Sequence, residues 1–219
     1  MSLFIPEKVA QGFEKLQRSI ERIYDVEEVP QITRYLLNEE TLRRFSKDIK
    51  EGVYLLEEEG KAQVGVFFKS ERFEAFEQIS PLKVLDRENL EDFLTVIEEI
   101  SHFVYLLWSL RKRRPVSQLS LELQGEVDKY LTTVFHLAVQ NKGRFPAKVF
   151  QQLFAEPQWI EGLDGEALKR YEFANKLAYR YCVYLEEEFL RCADLPALLQ
   201  ELRRFYRRDF QSKLSRILH

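Results

Sequence analysis

Residues 93–114 read FLTVIEEISHFVYLLWSLRKRR, and this stretch decides the fold class. Its apolar residues recur every three or four positions, which is the spacing that lines them up along one face of an α-helix. That face comprises Phe93, Val96, Ile97, Ile100, Phe103, Val104, Leu107 and Leu110. The most apolar part, Ile100 to Leu110, carries His102 and is about half the length needed to cross a bilayer. The stretch therefore predicts a buried helix and no membrane span.

The same helical period extends over most of the chain. It recurs in residues 9–23, in residues 42–49 and from residue 86 almost to the C-terminus. Residues 166–192 carry apolar groups on nearly every side, a pattern typical of a central helix. The chain has only 8 Gly and 7 Pro, which is few for the tight turns of an all-β protein. We predict a mainly α (α+β) protein built as a bundle of about five to eight helices, with a short helix at 146–154 and a loop at 157–165.

Near residues 52–85 the apolar residues recur at every second position, and there we predict a small antiparallel β element. Residues 53–58 and 61–68 have the pattern of strands and flank Glu59-Gly60, which can form a two-residue turn. Such a turn fixes a register that pairs Val53 with Val66, Leu55 with Val64 and Tyr54 with Gly65. The two pairs that contain valine share one face, which we expect to be apolar. Because a lone hairpin is marginal in water, the element needs a third strand, at residues 82–85, or a helix across its apolar face.

Length, composition and charge bound the class of protein. The 219 residues are 45% hydrophobic, which supports one hydrophobic core that needs no stabilisation by a disulfide or a bound metal. No linker or repeat interrupts the chain, so we expect a single domain over 1–219, within which 1–85 can form an α/β subdomain and 86–219 a helical core. Cys182 and Cys192 lie about 15 Å apart along a helix, beyond disulfide reach. Two free thiols and an N-terminus without a leader pattern predict a cytoplasmic protein.

Glu99 and His102 form an ExxH pair, the spacing that places a carboxylate and an imidazole together on one helix face. Di-iron bundles use two such pairs, but here Thr133 stands where a glutamate would precede His136. Together with Glu98, one turn before His102, the segment is an incomplete set of metal ligands. The alternative is a solvated stripe, roughly 150° from the centre of the core face. Its members would be Thr95, Glu98, His102, Tyr105 and Ser109.

A second polar line runs along the next predicted helix. It consists of Glu122, Glu126, Lys129, Thr133 and His136, at spacings of four, three, four and three. Glu122 and Glu126 can supply further carboxylates if the two lines face each other across antiparallel helices. Asn175 lies on the inward line of residues 166–192, where a buried amide costs about 1–3 kcal/mol unless it is hydrogen-bonded. These residues either form a polar cleft for a metal or small ligand, or they line the wet edge of the core while Asn175 fixes the register of its helix.

Four arginines share one face of the last predicted helix. They are Arg203, Arg204, Arg207 and Arg208, which fall within about 140° on a helical wheel. Guanidinium groups recognise carboxylates and phosphates in a bidentate manner. We therefore predict a docking surface for an acidic protein patch, unless these arginines pair with Glu186–Glu188. The net charge of −3 disfavours general binding of nucleic acid, though not a local contact through this face.

The chain lacks the sequence motifs of common enzymes. It contains no GxSxG, HExxH, P-loop or GxGxxG motif. We therefore predict a non-catalytic cytoplasmic interaction or regulatory protein that needs no cofactor and whose partner is another protein. The alternative is an enzyme, or a small-ligand or metal-binding protein, that uses a cleft around Glu98, His102, Glu122 and Glu126. A further alternative is nucleic-acid binding through the arginine face.

Overall fold

The computed structural model describes residues 5–58, 60–78, 80–145, 153–154 and 165–219. Within these ranges the protein has eight α-helices and one two-stranded antiparallel hairpin, and 66% of the residues are helical. The predicted class, a mainly α bundle with a small hairpin, is confirmed. The short helix predicted at 146–154 and the loop predicted at 157–165 lie outside the described residues except at positions 153–154 and 165.

Side-chain caps set the beginnings of several helices. The helices are α1 Glu7–Tyr24, α2 Glu39–Leu42, α3 Ser70–Gln78, α4 Leu90–Arg111, α5 Gln118–Gln140, α6 Gly165–Leu185, α7 Leu195–Tyr206 and α8 Phe210–Leu218. The strands are β1 Gly52–Glu58 and β2 Lys61–Phe67, a 3₁₀ turn spans Ile32–Tyr35, and a π-helical turn, Glu186–Leu190, follows α6. Asn38 and Asp194 cap α2 and α7, each accepting from the backbone N–H three residues later, over 2.7 and 3.1 Å.

The centre of the bundle is the pair α4 and α5, which lie antiparallel along each other. Residues 98–102 of α4 contact residues 122–129 of α5 in reverse order along the two helices. α6 packs against α5, and α1 packs against both α4 and α7. α4 is long and apolar enough to span a membrane by length and composition, but 72% of that apolar window is buried inside the protein. In this structure α4 is the central core helix.

The burial of α4 differs from the predicted face in two ways. Leu107 is only half-buried and Leu110 is 50% exposed, although both lie on the predicted core face. The predicted solvated stripe is wrong, because α5 and the C-terminal helices pack on that side. Its buried members are His102, Tyr105 and Ser109. The other two members, Thr95 and Glu98, are half-buried, so neighbouring helices enclose most of this polar line.

α6 is not the central helix that its apolar content predicts. Phe173 and Tyr179 are 44% and 46% exposed, whereas Leu177 and Cys182 are buried. One face of α6 packs against α5 and the other side faces solvent, where aromatic residues alternate with charged ones such as Lys176. The apolar pattern reports side-chain polarity, and the position of a helix depends on its neighbours.

The hairpin has the predicted register. Val53 pairs with Val66, Leu55 with Val64 and Tyr54 with Gly65. The predicted third strand is wrong, because residues 82–85 form turn and irregular structure and Leu36 instead makes a parallel bridge to Val66. Leu37 fills the space over the paired glycine and leaves no room there for a side chain. Leu55 is 63% exposed, so the expected apolar face does not extend to the turn end of the hairpin.

Candidate metal centre

All six residues predicted for the polar cleft come together at the junction of α4, α5 and α6. Glu98, Glu99 and His102 come from α4, Glu122 and Glu126 from α5, and Asn175 from α6. The antiparallel pairing of α4 and α5 brings the two predicted polar lines face to face, and α6 packs on α5 beside them. Five of the six residues are buried and Glu98 is half-buried. The cluster therefore lies at the edge of the core.

The centre of the cluster is formed by Glu98, His102 and Glu122. One potential ligand atom from each of these side chains lies within 4.8 Å of the other two. His102 Nε2 and Glu122 Oε2 are 3.6 Å apart, close to the roughly 3.4 Å between two ligands of a tetrahedral ion with bonds of about 2.1 Å. A side-chain shift of up to about 1.4 Å would bring the third ligand to the same spacing. The three residues can therefore hold one cation between the two central helices.

Gly125 of α5 makes room for the imidazole. A Cβ added to Gly125 would lie 2.9 Å from His102 Nε2 and 3.5 Å from Glu98 Cγ. Glycine inside a helix costs about 1 kcal/mol relative to alanine, so its presence here is explained by the close approach of His102. The sequence predictions did not include Gly125, although a lone glycine inside a helical pattern is a signal of close packing.

Glu99 lies behind His102, as the ExxH spacing predicts. Its Oε2 atom is 3.7 Å from His102 Nδ1, on the opposite side of the ring from Glu122. Carboxylates in this position orient histidines that bind metals through the other nitrogen. Glu99 Oε2, His102 Nε2 and Glu122 Oε2 are all buried without a hydrogen-bond partner among the described residues. Such atoms cost about 1–3 kcal/mol each unless a protonated His102, a water or a metal ion satisfies them.

Lys129 joins the carboxylates of the two central helices. Its Nζ lies 2.9 Å from Glu98 Oε2 and 2.6 Å from Glu126 Oε1. The other oxygen of Glu126 accepts a hydrogen bond from Asn175 Nδ2 over 3.3 Å. Asn175 thus holds Glu126 in place from α6, which is one of the two roles predicted for it. Lys129 was part of the predicted polar line on α5.

Arg170 of α6 supplies a second cation that the sequence predictions missed. Its Nε lies 3.6 Å from Glu122 Oε1, and the guanidinium group lies 5.8 Å from the centroid of the Tyr171 ring. Burial, together with the charges of Glu98 and Glu122, raises the pKa of Tyr171. Arg170 lies among other charged residues on a half-exposed helix, so no feature of the sequence distinguishes it.

The cluster has more acidic than basic groups. Its carboxylates are Glu98, Glu99, Glu122 and Glu126, and its fixed cations are Lys129 and Arg170. With a neutral imidazole, four carboxylates and two cations leave two excess negative charges. Burial raises the pKa of Glu122 to about 7, and burial also raises that of Glu99. Burial alone would lower the pKa of His102, but the nearby carboxylates raise it to about 9. Protons or a divalent cation can balance this charge.

The far end of the predicted polar line does not join the cluster. The His136 ring packs against Phe93, with 5.6 Å between the ring centroids. Burial lowers the pKa of His136, whereas that of His102 is raised. The two histidines of the central helices therefore have different surroundings, and His136 can serve as a control for His102.

The arginine face is partly used by the fold. Arg207 donates hydrogen bonds to the carbonyls of Tyr24 and Asp25, at the end of α1, over 2.8 and 2.6 Å. Arg203 donates to a third carbonyl in the same turn over 3.3 Å. These two arginines thus bind the C-terminus of α1, where cations are favoured, and not the acidic π-helical turn. Arg204 lines a shallow depression beside them. The docking surface stays a prediction, with two of its four arginines engaged by α1.

Comparison with known proteins gives no further indication of function. No family model, no curated protein and no solved structure matches this chain. The function must therefore be argued from the geometry and charge of the cluster between α4 and α5.

Proposed function

We propose that this protein binds a divalent transition-metal ion between α4 and α5, with Glu98, His102 and Glu122 as ligands. The observation that carries the proposal is the convergence of three ligand atoms from two helices within 4.8 Å of one another. Two further features support it. The buried atoms at this point lack hydrogen-bond partners among the described residues. With the imidazole neutral, as metal binding requires, the four carboxylates exceed the two cations Lys129 and Arg170 by two charges.

The ligand types favour some ions over others. One imidazole nitrogen and two carboxylate oxygens suit Zn²⁺, Mn²⁺ or Fe²⁺, whereas Ca²⁺ and Mg²⁺ prefer oxygen alone and Cu⁺ prefers sulfur. Three protein ligands leave at least one coordination position for water or another small ligand, as in metal sites that take part in catalysis. The bound ion would also link the two central helices and stabilise the fold.

Metal binding can be tested on purified, chelator-treated protein. Native mass spectrometry and calorimetric titration with Zn²⁺, Mn²⁺ and Fe²⁺ should show one ion per chain for at least one of these metals. At a free metal concentration of one hundred times Kd, the bound ion should stabilise the protein by about 2.7 kcal/mol, which raises Tm. Because protonated ligands must lose their protons, affinity should increase with pH.

Two histidine variants provide a matched comparison. His102→Gln should abolish stoichiometric binding, while His136→Gln, which changes the other histidine of the central helices, should keep it. Wild-type protein that binds none of the three ions, or equal binding by the two variants, would contradict the proposal.

The predicted role as an interaction protein is compatible with this site. A docking surface around Arg204 would involve a different part of the molecule, at the end of α1 and along α7. Metal binding and partner binding can therefore be tested separately.

A further inference from the structure

We propose that the acidic cluster contains two cation positions and that the ammonium group of Lys129 occupies the second one, so that the protein binds one metal ion and not two. The inference rests on the proposed metal site for the first position. It concerns the number of ions and the residue that determines it.

The surroundings of Lys129 are those of a bound cation. Its Nζ lies between carboxylates of two helices, 2.9 Å from Glu98 Oε2 and 2.6 Å from Glu126 Oε1, and its side chain is largely buried. Asn175 fixes the other oxygen of Glu126 over 3.3 Å. This largely buried lysine contacts two carboxylates, and an amide hydrogen-bonds to one of them. Its ammonium group therefore occupies a defined position and is not part of a solvated ion pair.

Glu98 connects the two positions. It belongs to the group of three ligands with His102 and Glu122, and one of its oxygens contacts Lys129. In binuclear sites a shared carboxylate of this kind lies between two ions about 3.5–4 Å apart. Here the second partner of Glu98 is an ammonium group, which neutralises charge but cannot act as a Lewis acid. The cluster therefore has the layout of a binuclear site with a fixed organic cation in one half.

Removing the ammonium would leave ligands for an ion in its place. Glu98 and Glu126 would both lose their basic partner, and an amide flip of Asn175 would place its carbonyl oxygen beside Glu126. Without Lys129 the cluster would carry three excess negative charges with a neutral imidazole. One divalent ion alone would leave one of these negative charges uncompensated, which favours binding of a second cation at the vacated position.

The test counts metal ions per chain by native mass spectrometry during titration with Mn²⁺. Wild type, Lys129→Gln and Arg170→Gln are compared. Arg170→Gln removes the same unit of positive charge from the cluster but leaves Lys129 between its carboxylates, so it separates charge from position. The expected counts are one ion for wild type, two for Lys129→Gln and one for Arg170→Gln. A double variant, Lys129→Gln with Glu126→Gln, should return to one ion.

The outcomes separate the two proposals. One ion in both wild type and Lys129→Gln would overturn the inference and leave the proposed metal site standing. Two ions in both single variants would overturn it as well, because charge alone would then set the count. No Mn²⁺ in any of these proteins would overturn the inference, and the metal site itself would be refuted only if Zn²⁺ and Fe²⁺ also failed to bind. One ion in Lys129→Gln and none in wild type would refute metal binding by the natural protein and support the role of Lys129.

Folding of the variant is controlled by refolding it with Mn²⁺ present. If Lys129→Gln folds only with metal, the ions are counted on that refolded protein. Failure to fold even at saturating Mn²⁺ would also overturn the inference, because a second ion should replace the missing charge.

Discussion

Replacing Lys213 by methionine should remove a specific pH dependence of stability. Lys213 lies on α8 and is 0% exposed. Its ammonium group donates hydrogen bonds to Gln124 Oε1 over 2.8 Å and to the Tyr105 hydroxyl over 3.3 Å. Burial lowers the pKa of Lys213 to about 7, against the opposing charge of Asp128. The folded protein therefore releases this proton at a much lower pH than the unfolded chain does.

The magnitude follows from the difference between the two states. An unfolded lysine has a pKa near 10.4, so between pH 7 and pH 10 the unfolded chain holds a proton that the folded protein has lost. Stability must rise with pH in this window, by about 1.4 kcal/mol per unit and about 4 kcal/mol in total. Below pH 7 both states hold the proton and this contribution is constant.

Neighbouring groups of Lys213 titrate outside this window. Burial raises the pKa of Asp128 to about 6 and that of Tyr105 to about 12. Burial also raises the pKa values of Tyr24 and Tyr206 well above 10. The pH dependence between pH 7 and pH 10 that distinguishes wild type from Lys213→Met can therefore be assigned to the lysine.

The assay is urea unfolding of wild type and Lys213→Met at pH 7, 8, 9 and 10. The difference in unfolding free energy should shift by about 4 kcal/mol in favour of wild type across this range. The matched control is Lys8→Met, because Lys8 is exposed on α1, and its difference from wild type should stay constant with pH. A pH-independent difference for Lys213→Met would refute the reasoning.

Five further substitutions test other parts of the structure. Gly125→Ala places a Cβ 2.9 Å from the imidazole in the metal site. Metal affinity measured by calorimetry should therefore fall about 10–100-fold. Unchanged affinity would count against the site. Leu202→Ala should lower the unfolding free energy by about 2–5 kcal/mol. Leu107→Ala should lower it clearly less, because of these two residues only Leu202 is fully buried. Equal losses of the two variants in urea unfolding would contradict this packing. Arg207→Ala should cost about 1 kcal/mol because it removes a cation at the end of α1. Arg204→Glu should leave the unfolding free energy unchanged and should weaken binding to an acidic protein surface at low salt. A large loss of stability in this variant would exclude a purely exposed role for Arg204.

Local patterns predict most of the elements. The period of three to four predicts the long helices, and the length of the turn fixes the register of Val53 with Val66. The pattern does not show which element packs against each face of a helix. Leu110 has the right spacing for the core but is 50% exposed, and Phe173 is 44% exposed on a helix that was expected to be central. Burial depends on which elements pack where, and that is a tertiary property.

The candidate site was likewise predicted only in part from the sequence. The spacing of Glu99 and His102, and that of Glu122 and Glu126, predicts two polar lines, and the antiparallel pairing of the helices brings them together. Arg170 could not be predicted, because its role depends on how α6 packs against α5. The expected solvated stripe failed for a related reason, since periodicity identifies the most apolar face and does not show that the opposite face is wet.

The proposed metal site is tested most directly by an anomalous difference map from a crystal loaded with whichever of Zn²⁺, Mn²⁺ and Fe²⁺ the titration shows to bind. We expect one peak at about 2.0–2.2 Å from His102 Nε2 and from a carboxylate oxygen of each of Glu98 and Glu122. Lys129 should remain between Glu98 and Glu126 in the same crystal. A map with no peak at these side chains, or with peaks only at surface residues such as Cys192, would contradict the assignment.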